Sequence, residues 1–365
     1  MRQVGERELE EIAIGAAILG TGGGGDPYVG ALLAREAIRK YGPVEIVPPN
    51  ELKDDDFVVP IAIVGAPTIL LEKPPRGEEF ARCFLAHERF VGRKATHTVS
   101  AEIGGMNSVT PLILAAQLRI PVVDADAIGR AYPEIHLTIP SLMGVSSTPS
   151  AICDEKGNTV FVETINDYWT EQFDRATAVV MGSVCAASLY AMSGAEVKRT
   201  MVHGTLTLAW KVGHAVLETK AAHGDVIEAI KREIGGHHLF QGRVVDFDRR
   251  VTSGWVKATA KLDGLGPDKG VSGLINTQNE HLVVRRDGEV ICSVPDLIVV
   301  LDTETGMPIT TEMLRYGDRI TVIGSPPDPR WRTPAGIERG GPRHFGYDFD
   351  YIPVEERVAA LNRAG

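Results

Sequence analysis

Apolar positions along the chain fall into two kinds of spacing. In residues 6–19, Leu9, Ile12, Ala13, Ala16 and Ala17 recur at helical steps among repeated glutamates, which predicts a helix. Residues 28–40 repeat the pattern with Val29, Leu32, Leu33, Ala37 and Ile38, and Gly42 marks the stop. Short apolar runs come next at Val44–Val47 and at 57–64, 95–100 and 120–123, each bounded by turn residues, as strands are. Between them, Glu78–Val91 reads as a helix, and so does 111–118 with Thr110 as its cap. The alternation predicts an α/β domain over residues 1–164, built on a layered, mostly parallel sheet. Ligands bind beyond the carboxyl ends of such strands. Here those ends carry Gly65-Ala66-Pro67, Glu102-Ile103-Gly104-Gly105 and Asp124-Ala125-Asp126.

The second half reads differently. A strand at 158–162 leads into a linking helix at 166–175. A small apolar run at 179–187 precedes helical patterns at 204–213 and 220–234. Short strands come next, at 242–247, 254–261, 282–285, 290–293, 297–301 and 319–323. Turns at Asp287-Gly288, Thr305-Gly306 and Tyr316-Gly317-Asp318 suit antiparallel hairpins. Residues 165–365 are therefore expected to form an α+β, β-rich domain, with the tail from Pro326, including Trp331, lying over a surface.

Composition narrows the function classes. A net charge of −10 over 365 residues gives no basic footprint for nucleic acid and no attraction to an anionic membrane. Residues 1–11 are charged and acidic, unlike a signal peptide, and the run at 57–66 is too short to span a bilayer. Cys83, Cys153, Cys185 and Cys292 are scattered without a C-x-x-C, which fits a reducing cytoplasm.

The most unusual stretch is Leu19-Gly20-Thr21-Gly22-Gly23-Gly24-Gly25-Asp26-Pro27. Asp26 is a good N-cap and Pro27 a good first helical residue. Gly20, Gly22 and Gly25 spell G-x-G-x-x-G, but the dinucleotide fingerprint comes after a strand and this one comes after a helix, so no nucleotide cofactor is expected. A loop of Gly22, Gly23, Gly24 and Gly25 at a helix start offers backbone N–H groups to an anion or a polarised carbonyl of a small-molecule substrate. Glu102, Asp124 and Asp126 are the candidate catalytic acids. Asp124 and Asp126 are two apart, so in an extended segment they face one way. Such a pair shares a cation, splits its pKa values, or simply caps a neighbouring helix. Glu134 and His136 have the same spacing, and a divalent metal on Asp124, Asp126 and Glu134 is the candidate cofactor, although no zinc spacing such as H-E-x-x-H is present. Asn107, Arg130, Asn279 and Glu280 are candidate substrate-binding groups. His97 and Cys185 read as structural residues, whereas His203 and the pair His237 and His238 are isolated candidates that no motif supports.

The glycine stretch, Glu102-Ile103-Gly104-Gly105-Met106-Asn107-Ser108 and the run from Val123 through Asp124, Asp126 and Arg130 to Glu134 resemble one bacterial, hydantoinase-associated family. It is named for S-methyl thiohydantoin desulfurase. Gly204-Thr205-Leu206-Thr207-Leu208-Ala209-Trp210, Gln278-Asn279-Glu280, Pro295-Asp296-Leu297-Ile298 and Gly341-Pro342-Arg343-His344-Phe345-Gly346-Tyr347-Asp348 extend the resemblance over nearly the whole chain. The resemblance implies two domains, the first α/β, and hydrolysis of an S-methylated thiohydantoin: water adds at the ring carbon bearing sulfur and methanethiol leaves. On motif position, Glu102 or Asp124 is the expected base, Asp126 its partner or a metal ligand, and the glycine loop and Asn107 the groups that hold the ring. The competing reading is a non-catalytic binding subunit that partners a hydantoinase or oxoprolinase, or assembles with itself. Three acids in one pocket favour the hydrolase.

Overall fold

The structure, a computed structural model, describes residues 1–65, 67–252 and 255–364. Ala66, in the turn expected after residue 65, and Gly254, the expected start of a strand, lie outside the described residues.

The chain opens with β1 (Gln3–Val4) and α1 (Glu8–Leu19). Every residue of α1 from Ile12 onward is buried, as befits a helix apolar on all sides. Asp26 caps α2 (Pro27–Tyr41) by accepting the Tyr28 N–H at 2.8 Å. Next in the chain are β2 (Val44–Val47), β3 (Phe57–Gly65), α3 (Pro67–Glu72), α4 (Glu78–Val91), β4 (His97–Ser100), α5 (Thr110–Leu118), β5 (Val122–Asp126) and α6 (Ile139–Leu142). The adjoining stretch holds β6 (Ser150–Cys153), β7 (Thr159–Val162), α7 (Asp167–Val180), β8 (Val184–Ser188), β9 (Met192–Ser193), α8 (Gly194–Thr200) and β10 (Val202–His203).

These strands form one sheet in the order β1-β2-β5-β4-β3-β8-β6-β7, with β10 beside β5 and β9 beside β3. Among the described residues only β2, β5, β4 and β3 run parallel to one another; the remaining pairs are antiparallel. The sheet is mixed, which corrects the mostly parallel expectation. Helical crossovers through α4 and α5 make the parallel core, whereas β6 and β7 meet through a short turn that can only return antiparallel. Strands β8 to β10 lie beyond Thr164, so the later part of the chain also builds the first sheet. Apolar clusters cover both of its faces.

After α9 (Thr205–Ala221) and α10 (Val226–Ile234) comes a second sheet of β11 (His237–Thr252), β12 (Trp255–Gly264), β13 (Ser272–Gln278), β14 (Glu280–Arg286), β15 (Glu289–Ser293), β16 (Leu297–Asp302) and β17 (Arg319–Ser325). Its order is β15-β14-β13-β12-β11-β17-β16, and every pair is antiparallel. The tail adds α11 (Pro334–Gly340) and α12 (Val354–Ala364). Most of its residues are exposed or half-buried, so it runs over the outside of the molecule, but it is anchored more deeply than a surface wrap requires. Trp331 is fully buried, donates its indole N–H to the Ile128 carbonyl at 2.9 Å and packs edge-on against Tyr132. An indole with its N–H satisfied buries a large apolar area, which draws the tail into the core.

The halves lock where α1 crosses α9. A Cβ on Gly15 would lie 1.9 Å from the Ala209 carbonyl oxygen, and one on Gly213 would lie 1.8 Å from that of Glu11. Glu11 reaches across the crossing to Trp210 Nε1 at 2.6 Å and His214 Nδ1 at 2.7 Å. Glycine to alanine in a helix interior ordinarily stabilises by about 1 kcal/mol. At Gly213 the added methyl meets backbone that cannot yield. Gly213→Ala is therefore expected to destabilise the protein by about 1–3 kcal/mol, read as a lower midpoint in urea unfolding; an unchanged or raised midpoint would contradict the close crossing.

Candidate active site

Three parallel strands end at one edge, and the turns after them line a single cavity. Ile63, Val64 and Gly65 of β3, Ala101 and Glu102 after β4, and Ala127 and Ile128 after β5 form one side. The turn from β13 to β14 brings Asn279 and Glu280 from the second sheet, and Gly24 and Gly25 close the wall between them. Apolar side chains such as Leu70 and Leu189 complete much of the lining, which leaves few polar groups to direct a ligand.

Glu102 is held rather than free. Its Oε1 accepts the Asn107 side-chain amide at 2.7 Å, and its Oε2 accepts the Tyr132 N–H at 3.3 Å. Asn107 is itself fixed, because its Oδ1 accepts the Ile63 N–H at 2.7 Å. Burial pushes the Glu102 carboxyl up to about 7, against the pull of Asn107 and Tyr132. Glu280 is buried too, and its Oε2 has no hydrogen-bond partner among the described residues. Burial, and next the charge of Glu102, push its carboxyl well above the usual range. Burial thus favours the protonated form of both carboxyls, and the charge of Glu102 adds to that preference at Glu280.

The glycine loop explains how Glu280 fits. A Cβ on Gly23 would lie 1.9 Å from Glu280 Oε1, so only glycine leaves room for that carboxyl. Gly24 sits at φ +80°, where a Cβ would also come within 2.4 Å of the Gly104 carbonyl oxygen. The Gly22 carbonyl accepts the Thr311 N–H at 2.9 Å and the Thr21 carbonyl accepts the His281 N–H at 2.9 Å, which stitches the loop to the second half of the chain. Gly22 and Gly23 therefore stand behind the cavity wall, while Gly24 and Gly25 form it.

Asp124 and Asp126 do not line the cavity. Asp124 takes the capping role: its carboxylate accepts the Thr207 N–H at 3.0 Å and the Thr207 hydroxyl, in the first turn of α9. Asp126 Oδ2 accepts three backbone N–H groups, from Ile103 at 2.9 Å, Ile128 at 3.0 Å and Gly129 at 2.8 Å, and so fixes the turns after β4 and β5. Arg130 is not a lining residue either. It is fully buried, donates to the carbonyls of Ala131, Pro295 and Asp296 and to the Thr21 hydroxyl, and stacks on Tyr132 at 4.5 Å. Asn279 lines the cavity at φ +56°, with its side-chain oxygen taken by the Val256 N–H at 2.9 Å. Glu134 also lines the cavity, but the expected trio with Asp124 and Asp126 does not form. Its carboxylate meets His136 and His344 instead. Sequence reasoning passes over Tyr132, Arg175 and Tyr190, which all line the cavity, because nothing in their local patterns marks them.

A family model described as S-Me-THD-like, N-terminal domain, matches residues 7–164, and one described as S-Me-THD-like, C-terminal domain, matches residues 165–354. A crystal structure of a protein from Chromobacterium violaceum aligns with a TM-score of 0.82 at 23% identity, covering 97% of this chain and 100% of that one. At that identity the likeness speaks for the fold. No curated protein matches. No helix among the described residues is long and apolar enough to cross a membrane.

The raised Glu102 carboxyl has a measurable cost. The folded state favours its protonated form, so its contribution to stability is complete below the ordinary carboxyl value of 4.5 and is lost as pH rises through about 7. Glu102→Gln removes the charge. At pH 8 it is expected to unfold at higher temperature than the parent, with an upper bound of about 3 kcal/mol, while at pH 4 the two should coincide. Equal melting temperatures at both pH values would show that Glu102 is not desolvated.

Proposed function

The chain belongs to the S-Me-THD-like family, and from that premise we propose that it is a hydrolase of five-membered cyclic amides, acting on an S-methyl thiohydantoin and releasing methanethiol. The observation that supports this reading most is the pair of buried carboxyl groups, Glu102 and Glu280, in one apolar cavity. A site that only bound a small anion would gain nothing from them. Hydrolysis needs both an acid and a base, and environments that keep two carboxyls in different protonation states supply them.

In the proposed sequence Glu102, oriented by Asn107, takes a proton from water as the oxygen attacks the ring carbon bearing the S-methyl group. Glu280, the neutral partner, gives its proton to the ring nitrogen as the carbon–nitrogen double bond becomes single. Glu102 then returns its proton to sulfur as the carbon–sulfur bond breaks, and Glu280 recovers a proton from the new hydroxyl as the carbonyl forms. Water enters and methanethiol leaves, with both carboxyls restored. Backbone N–H groups of Gly24 and Gly25 are the proposed donors to a ring oxygen.

Purified protein incubated with S-methyl thiohydantoins and with plain hydantoins, with methanethiol and ring opening monitored separately, tests the assignment. Methanethiol release is expected; no turnover of any of them would overturn the reading. Glu102→Gln and Glu280→Gln are each expected to lower kcat by about 10²–10⁴-fold while the protein stays folded. The rate should rise with pH through about 7 as Glu102 ionises. In Gly23→Ala the added methyl presses first on Oε1, Cδ and Cγ of the Glu280 side chain rather than on backbone, so the variant is expected to fold, checked by its circular dichroism, and to lose rate by displacing that carboxyl. Full activity in this variant would remove Glu280 from the chemistry.

A further inference from the structure

We propose that Glu134, His136 and His344 form a binding site for a divalent metal ion of the zinc class at the rim of the cavity. Two imidazole nitrogens converge on one carboxylate oxygen: His344 Nε2 lies 3.1 Å and His136 Nε2 3.3 Å from Glu134 Oε2. One donor atom from each residue lies within 4.8 Å of the other two. In a tetrahedral zinc site with bonds of ~2.0–2.1 Å, neighbouring donor atoms stand about 3.3 Å apart. The two nitrogen–oxygen separations match that edge length.

The donor set points to the class of ion. Two neutral imidazoles and one carboxylate suit zinc, whereas calcium and magnesium prefer oxygen throughout. The site is also sheltered, since the side chains of Glu134, His136 and His344 are 18%, 13% and 24% exposed. A solvated surface cluster would be far more open. Two arginines, Arg175 and Arg339, stand near the site and oppose a cation. Glu171 bonds directly to Arg175, and Arg339 is engaged by the Ser141 hydroxyl. The Arg175 charge is thereby offset, whereas the hydroxyl only orients Arg339, whose charge stays opposed to a cation.

The third ligand explains why no motif reveals the site. His344 comes from the tail, 210 residues after Glu134, and it arrives because Trp331 and Tyr132 anchor that segment beside the first sheet. The proposal does not rest on the hydrolase reading, and binding is measured with no substrate present.

Full-length protein stripped with a chelator and then dialysed would be titrated with zinc chloride by calorimetry, and with cobalt chloride by visible absorption. One equivalent per chain is expected, with the intense visible bands of tetrahedral cobalt and a rise in melting temperature on zinc addition. Glu134→Gln, His136→Asn and His344→Asn should each weaken zinc binding by roughly a hundredfold, whereas His203→Asn, at an exposed position, should leave it unchanged. The three variants are independent, so the loss of one to misfolding leaves the comparison standing. Stripped protein that takes up neither ion would overturn the proposal. So would zinc binding of parental strength in the three variants, which would place the ion elsewhere and leave the trio as a hydrogen bond from His344 to Glu134 with His136 beside it.

Discussion

Two helices from distant parts of the chain approach until the backbone of each touches the other, and the rest of the molecule is arranged around that contact. Gly15 and Gly213 permit it, and Glu11 fastens it through Trp210 and His214. The crossing fixes α1 between the first sheet and the cluster that includes Val299, Leu301 and Ile323 of the second. Since the glycine loop leaves directly from the end of α1, its position is set by the same contact. The loop then ties to His281 and Thr311, and Glu280 is carried to the cavity beside it.

The cavity's chemistry is set by the groups that surround its acids. Burying an isolated carboxylate is costly unless donors compensate. Asp124 has donors on both oxygens, and Asp126 takes three N–H groups on Oδ2, which anchors the turns around it, while its Oδ1 has no partner among the described residues and burial pushes its carboxyl up to about 7. Glu102 has two donors and Glu280 has no side-chain partner on Oε2. The buried guanidinium of Arg130 offsets part of their charge without bonding to either, since its own donors go to Thr21 and to the carbonyls of Ala131, Pro295 and Asp296. What sets Glu102 and Glu280 apart from Asp126 is that they line the cavity, where a bound molecule can meet them.

Much of the fold is legible in the residues. The period of α1 and α2, the Asp26 cap, the strand ends that carry Glu102 and the hairpin turns of the second sheet all obey local rules. The pairing of Asp124 with Asp126 is also legible, but not the groups they face. Asp124 meets Thr207, 83 residues later, so its partner is a tertiary fact. Strand β13 escapes a reading of the sequence because its buried positions are Gly273, Ile275 and Thr277, an alternation too weak in apolar character to stand out. The mixed direction of the first sheet is hidden for a related reason: β6 and β8 are short, and the residues of β8 read only as part of a small apolar run. Trp331 reads as a residue of a wrapping tail because its burial depends on Ile128 and Tyr132, both far away in the chain.

Glu102 and Glu280 reach the cavity from opposite sheets, and the glycine that seats Glu280 belongs to the first helix's loop. Neither half of the chain supplies the cavity's lining by itself. A gene fusion or exchange that paired one half with an unrelated partner would have to replace the crossing glycines, the loop and the acid in a single event. A side chain at residue 23 could be accommodated without displacing its neighbour only if residue 280 became smaller, so the geometry ties together two positions far apart in the chain.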